Sequence, residues 1–187
     1  TYKSLTKKGW LYGDVIHAFM EVFQKELSLD QNIKECFILN DYFFTYISAH
    51  GEELSGNHAF STRLTKEDLT TKEIIMPVYF PCHWAICIIS NSKKIIMFLD
   101  LLYQDGENTI HRDNFCLSKV KKWHEMKCKS FENIPQGYSS AETFQSVRAR
   151  DLQNIGQQTD SFSCGVNCCA LACYWILNNS LPDSNTF

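Results

Sequence analysis

The sequence contains no long hydrophobic run, since none of its apolar stretches approaches the roughly 20 residues that a membrane-spanning helix needs. It also lacks a basic excess, and a formal net charge of −3 gives no positive field to attract nucleic acid. Internal repeats, low-complexity tracts and a signal-peptide pattern are missing as well. We therefore expect no binding to membranes and none to nucleic acid.

The nine cysteines lack the regular spacing of a disulfide framework. Four of them, Cys164, Cys168, Cys169 and Cys173, crowd one segment, where geometry would rarely let them pair with each other. Free thiols in a reducing compartment fit this pattern better than secretion. We expect an intracellular protein of the nucleus or cytoplasm, or of the host cell if the source is a pathogen.

The length of 187 residues, with 44% hydrophobic and 21% charged residues, is typical of one globular domain. We therefore predict a single domain over residues 1–187, and we expect it to be a monomer. The chain begins with Thr1, from which we expect a fragment of a longer protein.

Three short apolar segments, separated by turn-like "PC" and "NSKK", predict consecutive strands at 73–80, 83–90 and 94–100. Their continuous apolarity indicates a central sheet that is covered on both faces. Further strands are predicted at 36–40 and at 148–155.

Helical spacing of apolar residues predicts helices on both sides of these strands. The predicted helices cover 12–27, 41–51, 113–127 and, nearly all apolar and therefore buried, Cys164 to Leu177. Together with the strands they predict the α+β class, with a mixed sheet flanked by helices.

Cys164 stands after a polar loop and before Gly165, where the last predicted helix begins. The positive end of a helix dipole favours thiolate over thiol, so this position suits a nucleophile. The alternative is that Cys164 is one more buried cysteine, which is how we interpret Cys168, Cys169 and Cys173.

A thiol nucleophile needs a base, a group that orients the base, and donors for the developing oxyanion. His83 opens one predicted strand and Asp100 closes the next, so an antiparallel hairpin would bring them to the same end. Gln158 carries a side-chain amide six residues before Cys164. Taken singly, each residue also fits a purely structural role; their joint order and spacing favour catalysis.

These residues occur in the segments "HW" (83–84), "FLD" (98–100) and "QQTDSFSCG" (157–165), with "WL" at 10–11. The combination resembles the Ulp/sentrin-specific protease family, cysteine proteases that cleave after the Gly-Gly tail of ubiquitin-like modifiers. The order His, Asp, Gln, Cys distinguishes the family from papain-like proteases, in which the Cys comes first. The resemblance implies an Ulp-type variant of the papain-like α+β fold, with the nucleophile at the N-terminus of a buried helix.

The resemblance implies a role for each matching residue. Cys164 would be the nucleophile, His83 the general base, Asp100 the residue that orients it, and Gln158 the oxyanion donor.

Trp10 and Trp84 match the aromatic pair that clamps the flat Gly-Gly tail in the family. Two indole faces leave room only for residues without side chains, so glycine specificity would follow from steric exclusion. Both tryptophans could instead be core aromatics.

The chain departs from the family pattern near the expected modifier contacts. It reads "WLYGD" where the family usually reads "WLND", so Gly13 falls at a position that commonly carries an acidic residue. Asp14 could replace it after a local shift. Ser163 stands where the family usually has Asp, and Leu101 is bulkier than the small residue that often follows Asp100.

We therefore predict a thiol isopeptidase that acts on a ubiquitin-like modifier, with SUMO as the first candidate and ubiquitin or NEDD8 as alternatives. It would need no cofactor. A binding module that grips a modifier without cleaving it is the alternative from another class. A third hypothesis is a metal domain that uses Cys82, His83 and the cysteines of 164–173, although no clean second ligand pair is present.

Overall fold

The computed structural model describes residues 11–27, 35–50, 64–102, 107–138, 143–152 and 155–182. Within these ranges the helices are α1 (Gly13–Leu27), α2 (Phe43–His50), α3 (Lys66–Thr71), α4 (Glu107–Lys129) and α5 (Cys164–Asn178). The strands are β1 (Cys36–Ile38), β2 (Glu73–Phe80), β3 (His83–Ser90), β4 (Ile95–Leu99) and β5 (Gln145–Arg148). Short 3₁₀ turns cover Gln136–Tyr138 and Ala149–Asp151.

The five strands form one mixed sheet in the order β1-β2-β3-β4-β5. The central pairs β2–β3 and β3–β4 are antiparallel. The edge strands are parallel to their neighbours, β1 to β2 and β5 to β4. All eight residues of β3 are buried, because this middle strand is covered on both faces. The predicted α+β fold with a mixed, covered sheet is confirmed.

The sheet separates two apolar layers. Helices α1 and α5 pack on one face, against even-numbered residues of β3 such as Trp84, Ile86 and Ile88. Helices α2, α3 and α4 cover the other face, against odd-numbered residues such as Ala85 and Cys87. This alternation follows from the period of two along a strand.

The β3–β4 hairpin fixes which residues meet at its open end. Ile86 is opposite Leu99, and extending this register by one residue places Ala85 opposite Asp100. His83 shares a face with Ala85 and is therefore the diagonal neighbour of Asp100, within reach of a long side chain.

Helix α5 begins at Cys164 and lies on the α1 side of the sheet. Gly165 permits a close approach to α1 and to the segment before it, because a Cβ at this position would stand 3.2 Å from Cδ1 of Ile16 and 2.8 Å from Cβ of Leu11. The helix ends at Asn178, and the next residue, Asn179, caps it with a left-handed φ of 50°. The thiol-bearing first turn is thus held by packing against both α1 and the sheet.

The strand predicted at 148–155 is wrong. The chain pairs with β4 over Gln145–Arg148 and then turns into the 3₁₀ segment Ala149–Asp151. The Asp151 carboxylate accepts the Arg148 backbone N–H at 3.0 Å and the Arg148 guanidinium at 2.8 and 3.0 Å. This local hydrogen bonding draws the backbone out of the sheet.

The other predicted elements are confirmed. β2 and β3 have the predicted bounds, and the ends of the others are shifted. The helix predicted over 113–127 extends over Glu107–Lys129 as α4, and the strand predicted over 36–40 is limited to Cys36–Ile38. Gly51, the predicted end of the second helix, lies outside the described residues. None of the helices among the described residues is long and apolar enough to cross a membrane.

Candidate active site

His83 and Asp100 form a buried ion pair at the open end of the β3–β4 hairpin. The His83 Nε2–H donates to Oδ1 of Asp100 at 2.7 Å, and the two residues are only 7% and 1% exposed. The hairpin register predicted from the sequence therefore brings them together.

Asp100 accepts three hydrogen bonds from different parts of the fold. Oδ1 also accepts the backbone N–H of Leu102 at 3.0 Å, while Oδ2 accepts a hydrogen bond from Nη2 of Arg112 on α4. Burial alone would raise the pKa of Asp100, but the bond and charge of His83, the Arg112 cation and the Leu102 N–H together hold it below its ordinary value. Asp100 is thus a fixed carboxylate.

His83 is held in its charged form by its neighbours. Burial acts to lower the pKa of His83. Hydrogen bonding to Asp100 and to Cys164, and then the negative charges of the Asp100 carboxylate and the Cys164 thiolate, raise the pKa to about 9. The other ring nitrogen, Nδ1, is buried and makes no hydrogen bond of regular geometry with any described residue. The imidazole thus binds Asp100 through Nε2 and lies near Cys164.

Cys164 is the first residue of α5 and is 2% exposed. A narrow space beside it is bounded by Trp84, Gln158, Asn167 and Cys168. The thiol therefore lies at the positive end of a buried helix, with the predicted oxyanion donor next to it.

Gln158 is oriented by two hydrogen bonds of its side chain. Its Nε2 donates to the backbone carbonyl of Asp160 at 2.6 Å, and its Oε1 accepts from Nδ2 of Asn167 at 3.1 Å. Its backbone N–H donates to the Leu101 carbonyl at 2.7 Å. The amide is thus anchored beside Cys164 by α5 and by the segment after β4.

Ser163, the residue before the predicted nucleophile, is hydrogen-bonded to Asp160. The carboxylate of Asp160 accepts the Ser163 backbone N–H at 2.7 Å, its Oγ–H at 2.6 Å and the Phe162 N–H at 2.9 Å. These bonds lower the pKa of Asp160. An acidic residue at 163 would face this carboxylate, which gives a physical reason for serine in this chain.

Trp84 stands between Cys164 and a larger surface cavity. Its indole Nε1–H donates to the Leu11 carbonyl at 3.0 Å, and its ring lies 4.9 Å from that of Tyr79. Besides bounding the space at Cys164, it lines a cavity of about 470 Å³ together with Tyr12, Tyr42 and Tyr79. The predicted clamp residue is thus held by a hydrogen bond and a ring contact, between the cavity and the space beside the Cys164 thiol.

Asp41 contributes a buried carboxylate to this cavity. A Cβ on Gly13 would stand 2.3 Å from Oδ2 of Asp41, so the missing side chain at 13 makes room for this acid. Asp14, predicted to contact the modifier, is exposed on the first turn of α1. Trp10, the other predicted clamp residue, lies outside the described residues.

Two of the remaining cysteines of α5 behave as core residues, whereas Cys173, also interpreted as buried, is only half-buried. Cys168 and Cys169 are buried, and burial raises the pKa of Cys169 to about 12. Across the described ranges, no group of three or more His, Cys, Asp or Glu side chains is arranged to hold a metal ion.

Sequence reasoning missed Arg112, Asp41 and Asp160. Arg112 lies twelve residues after its partner, on a helix of unremarkable polar composition, and no local pattern marks it. Asp41 reaches Gly13 only through tertiary packing. Asp160 could have been found, because an Asp side chain commonly accepts backbone N–H groups of residues that follow it closely, as it does here from Phe162 and Ser163.

Comparison with known proteins identifies the family. Residues 9–186 match the Ulp1 protease family, C-terminal catalytic domain. The chain therefore belongs to the Ulp1 protease family, as its motifs predicted.

A putative ubiquitin-like-specific protease 1B of Arabidopsis thaliana is 26% identical over 172 residues, which is 89% of this chain and 46% of that protein. The chain thus spans about half the length of this curated relative.

Solved structures share the fold. The C-terminal Ulp1 protease domain in complex with Smt3, the yeast ortholog of SUMO, has a TM-score of 0.70 at 23% identity, over 92% of this chain and 68% of that one. The Xanthomonas campestris effector XopD bound to ubiquitin has a TM-score of 0.54 at 13% identity, over 91% of this chain and 78% of that one.

The ion pair predicts how stability depends on pH. The folded pKa of His83, about 9, exceeds its ordinary value of 6.5, so its contribution is complete below pH 6.5 and is lost as the pH rises toward 9. The free energy of unfolding of wild type should therefore exceed that of His83→Gln by an amount that shrinks by about 1 to 3 kcal/mol over this interval. Urea denaturation at a series of pH values measures it.

The control is His17→Gln, because His17 is a more exposed histidine that also faces a carboxylate, Glu21, at 3.2 Å. Its difference from wild type should change little over the same interval. A constant difference between wild type and His83→Gln would contradict the charged pair.

Proposed function

We propose that this chain is a cysteine protease that cleaves after the C-terminal Gly-Gly of a ubiquitin-like modifier, with SUMO as the preferred modifier. The observation that carries the proposal is the buried hydrogen bond of 2.7 Å between His83 and Asp100, with the Cys164 thiol near enough to raise the pKa of the same imidazole. Family membership agrees with it, and a relative of the same fold is bound to the yeast ortholog of SUMO.

In the proposed mechanism, Cys164 and His83 form a thiolate–imidazolium pair, in which the proton of the thiol lies on His83. The thiolate attacks the carbonyl of the last glycine. Asp100 stabilises the imidazolium and keeps the ring oriented. The Cys164 backbone N–H and the Gln158 amide stabilise the oxyanion. In the structure the Gln158 amide donates to the Asp160 carbonyl. In the proposed mechanism the amide therefore has to turn from this carbonyl toward the oxyanion when substrate enters.

Collapse of the tetrahedral intermediate breaks the C–N bond, and His83 gives its proton to the leaving amine. The modifier remains attached to Cys164 as a thioester. Water, deprotonated by His83, then attacks the thioester carbonyl, and the modifier carboxylate and the thiol are released. No cofactor takes part in these steps.

The cavity in front of Trp84 is the proposed site for the modifier tail. Its walls include the exposed side chains of Tyr12, Tyr42 and Tyr79, and Asp41 supplies a carboxylate among them. Aromatic faces beside a carboxylate attract a cationic side chain. We therefore assign Asp41, in place of an acid at Gly13, to a basic residue of the modifier.

The test is labelling by SUMO, ubiquitin and NEDD8 that each carry a C-terminal electrophile in place of the last carboxylate. We expect a covalent adduct on Cys164, fastest with SUMO, located by mass spectrometry of the digested protein. Cys164→Ala should form none. Faster labelling by ubiquitin, the partner of XopD in its structure, would reverse the choice of modifier.

Tight binding of a modifier without an adduct would instead support the binding module that does not cleave. Failure of all three probes to bind or to label would contradict the proposed function altogether.

Replacing Asp41 by Asn should weaken the recognition of a basic tail. With two otherwise identical fluorogenic peptides that end in Gly-Gly and carry Arg or Gln just before it, we expect wild type to prefer Arg in kcat/KM. Asp41→Asn should reduce this preference about fivefold, which corresponds to roughly 1 kcal/mol.

Asp14→Asn is the matched control, because Asp14 is exposed on the neighbouring turn and should leave the preference unchanged. Equal preferences in wild type and Asp41→Asn, or a loss only in Asp14→Asn, would contradict the assignment of Asp41.

A further inference from the structure

Oδ2 of Asp100 receives its hydrogen bond from one side chain among the described residues, that of Arg112. Oδ1 receives both His83 and the Leu102 N–H, whereas Arg112 is the donor to Oδ2 among the described residues. Asp100 is 1% exposed, so water does not readily replace a lost donor. A buried carboxylate oxygen without a donor costs free energy and allows the group to rotate.

Arg112 is itself held against the same set of residues. Its guanidinium lies 5.3 Å from the centre of the Phe80 ring, and Phe80 is paired with His83 across the β2–β3 hairpin. The Phe80 and His83 rings are nearly parallel, with centroids 6.4 Å apart. Each of four side chains therefore contacts two of the others: Arg112, Asp100, His83 and Phe80.

The pleat of the sheet explains why α4 supplies this residue. Asp100 and His83 continue the alternation of Phe98 and Ala85, which face the layer covered by α4. Cys164 and Trp84 belong to the opposite layer. The nucleophile and its acidic partner are thus stabilised from different sides of the sheet.

We propose that Arg112 is a positioning residue, which fixes the Asp100 carboxylate so that Oδ1 stays directed at His83 through the catalytic cycle. It touches neither the thiol nor the proposed tail cavity. The inference rests on the proposed function for its kinetic test, but its spectroscopic test needs no substrate.

Arg112 is not needed to dock α4. The helix is anchored by the buried residues Cys116, Val120 and Trp123, and its neighbour Asp113 pairs with Arg150 at 3.0 Å. The Arg112 side chain is 32% exposed. We therefore expect Arg112 variants to fold, with far-UV circular dichroism like that of wild type.

The kinetic experiment measures kcat and KM of wild type, Arg112→Gln and Arg112→Lys on a modifier with a C-terminal fluorogenic amide. Arg112→Gln should lower kcat about 10- to 100-fold, as expected for a displaced catalytic group, and leave KM within about twofold. Arg112→Lys keeps a cation and a donor and should recover most of the loss. A purely structural role would give no such recovery.

The spectroscopic experiment follows the proton on His83 Nε2 by ¹H NMR without substrate. The wild type should show a downfield resonance for this short hydrogen bond, assigned by its absence in His83→Gln. It should broaden or disappear in Arg112→Gln and return in Arg112→Lys.

The control is Arg148→Gln, which removes another arginine–aspartate pair, with Asp151, that contacts α4 through Asn114 but not the site. It should leave kcat and the resonance unchanged. Wild-type kcat and an unchanged resonance in Arg112→Gln, or an equal loss in Arg148→Gln, would overturn the inference. A third outcome is a wild type that shows no turnover while the His83 Nε2 proton resonance still changes in Arg112→Gln. That result would contradict the proposed function and support the inference.

Discussion

The arrangement of the site depends on one buried carboxylate. Asp100 is almost completely removed from water, and a charge in such a place is tolerated only when donors surround it. The donors come from the neighbouring strand, from its own following turn and from α4. The β3–β4 hairpin and the docking of α4 are therefore both conditions for an ionised Asp100, and through it for a charged His83.

The residues of the site lie on the two opposite faces of the sheet. The side of α4 holds the carboxylate and the imidazole, while the side of α1 and α5 holds Cys164, Trp84 and the tail cavity. His83 is the first residue of β3. At this end of the strand its ring can extend from one face of the sheet toward the other. A change in the cavity, such as Asp41 beside Gly13, would therefore leave the charged pair undisturbed.

Much of this could be predicted from the sequence, because the strongest signals are local. Three apolar segments with short turns predict the hairpins, and a hairpin of that length brings His83 and Asp100 to one end. Arg112 and Asp41 were out of reach, since each meets its partner only after separate elements have packed. The strand expected at 148–155 failed for a local reason, the hydrogen bonds between Arg148 and Asp151. The roles of His83, Asp100, Gln158 and Cys164 stay predictions until they are measured.

The most direct test of the account is the titration of His83 itself. In wild type, NMR of the imidazole should show a midpoint near pH 9, because Asp100 and Cys164 both favour the protonated ring. In Asp100→Asn the midpoint should fall well below this value, since burial then acts without the carboxylate. A wild-type midpoint at or below the ordinary value of 6.5, unchanged in Asp100→Asn, would contradict the account.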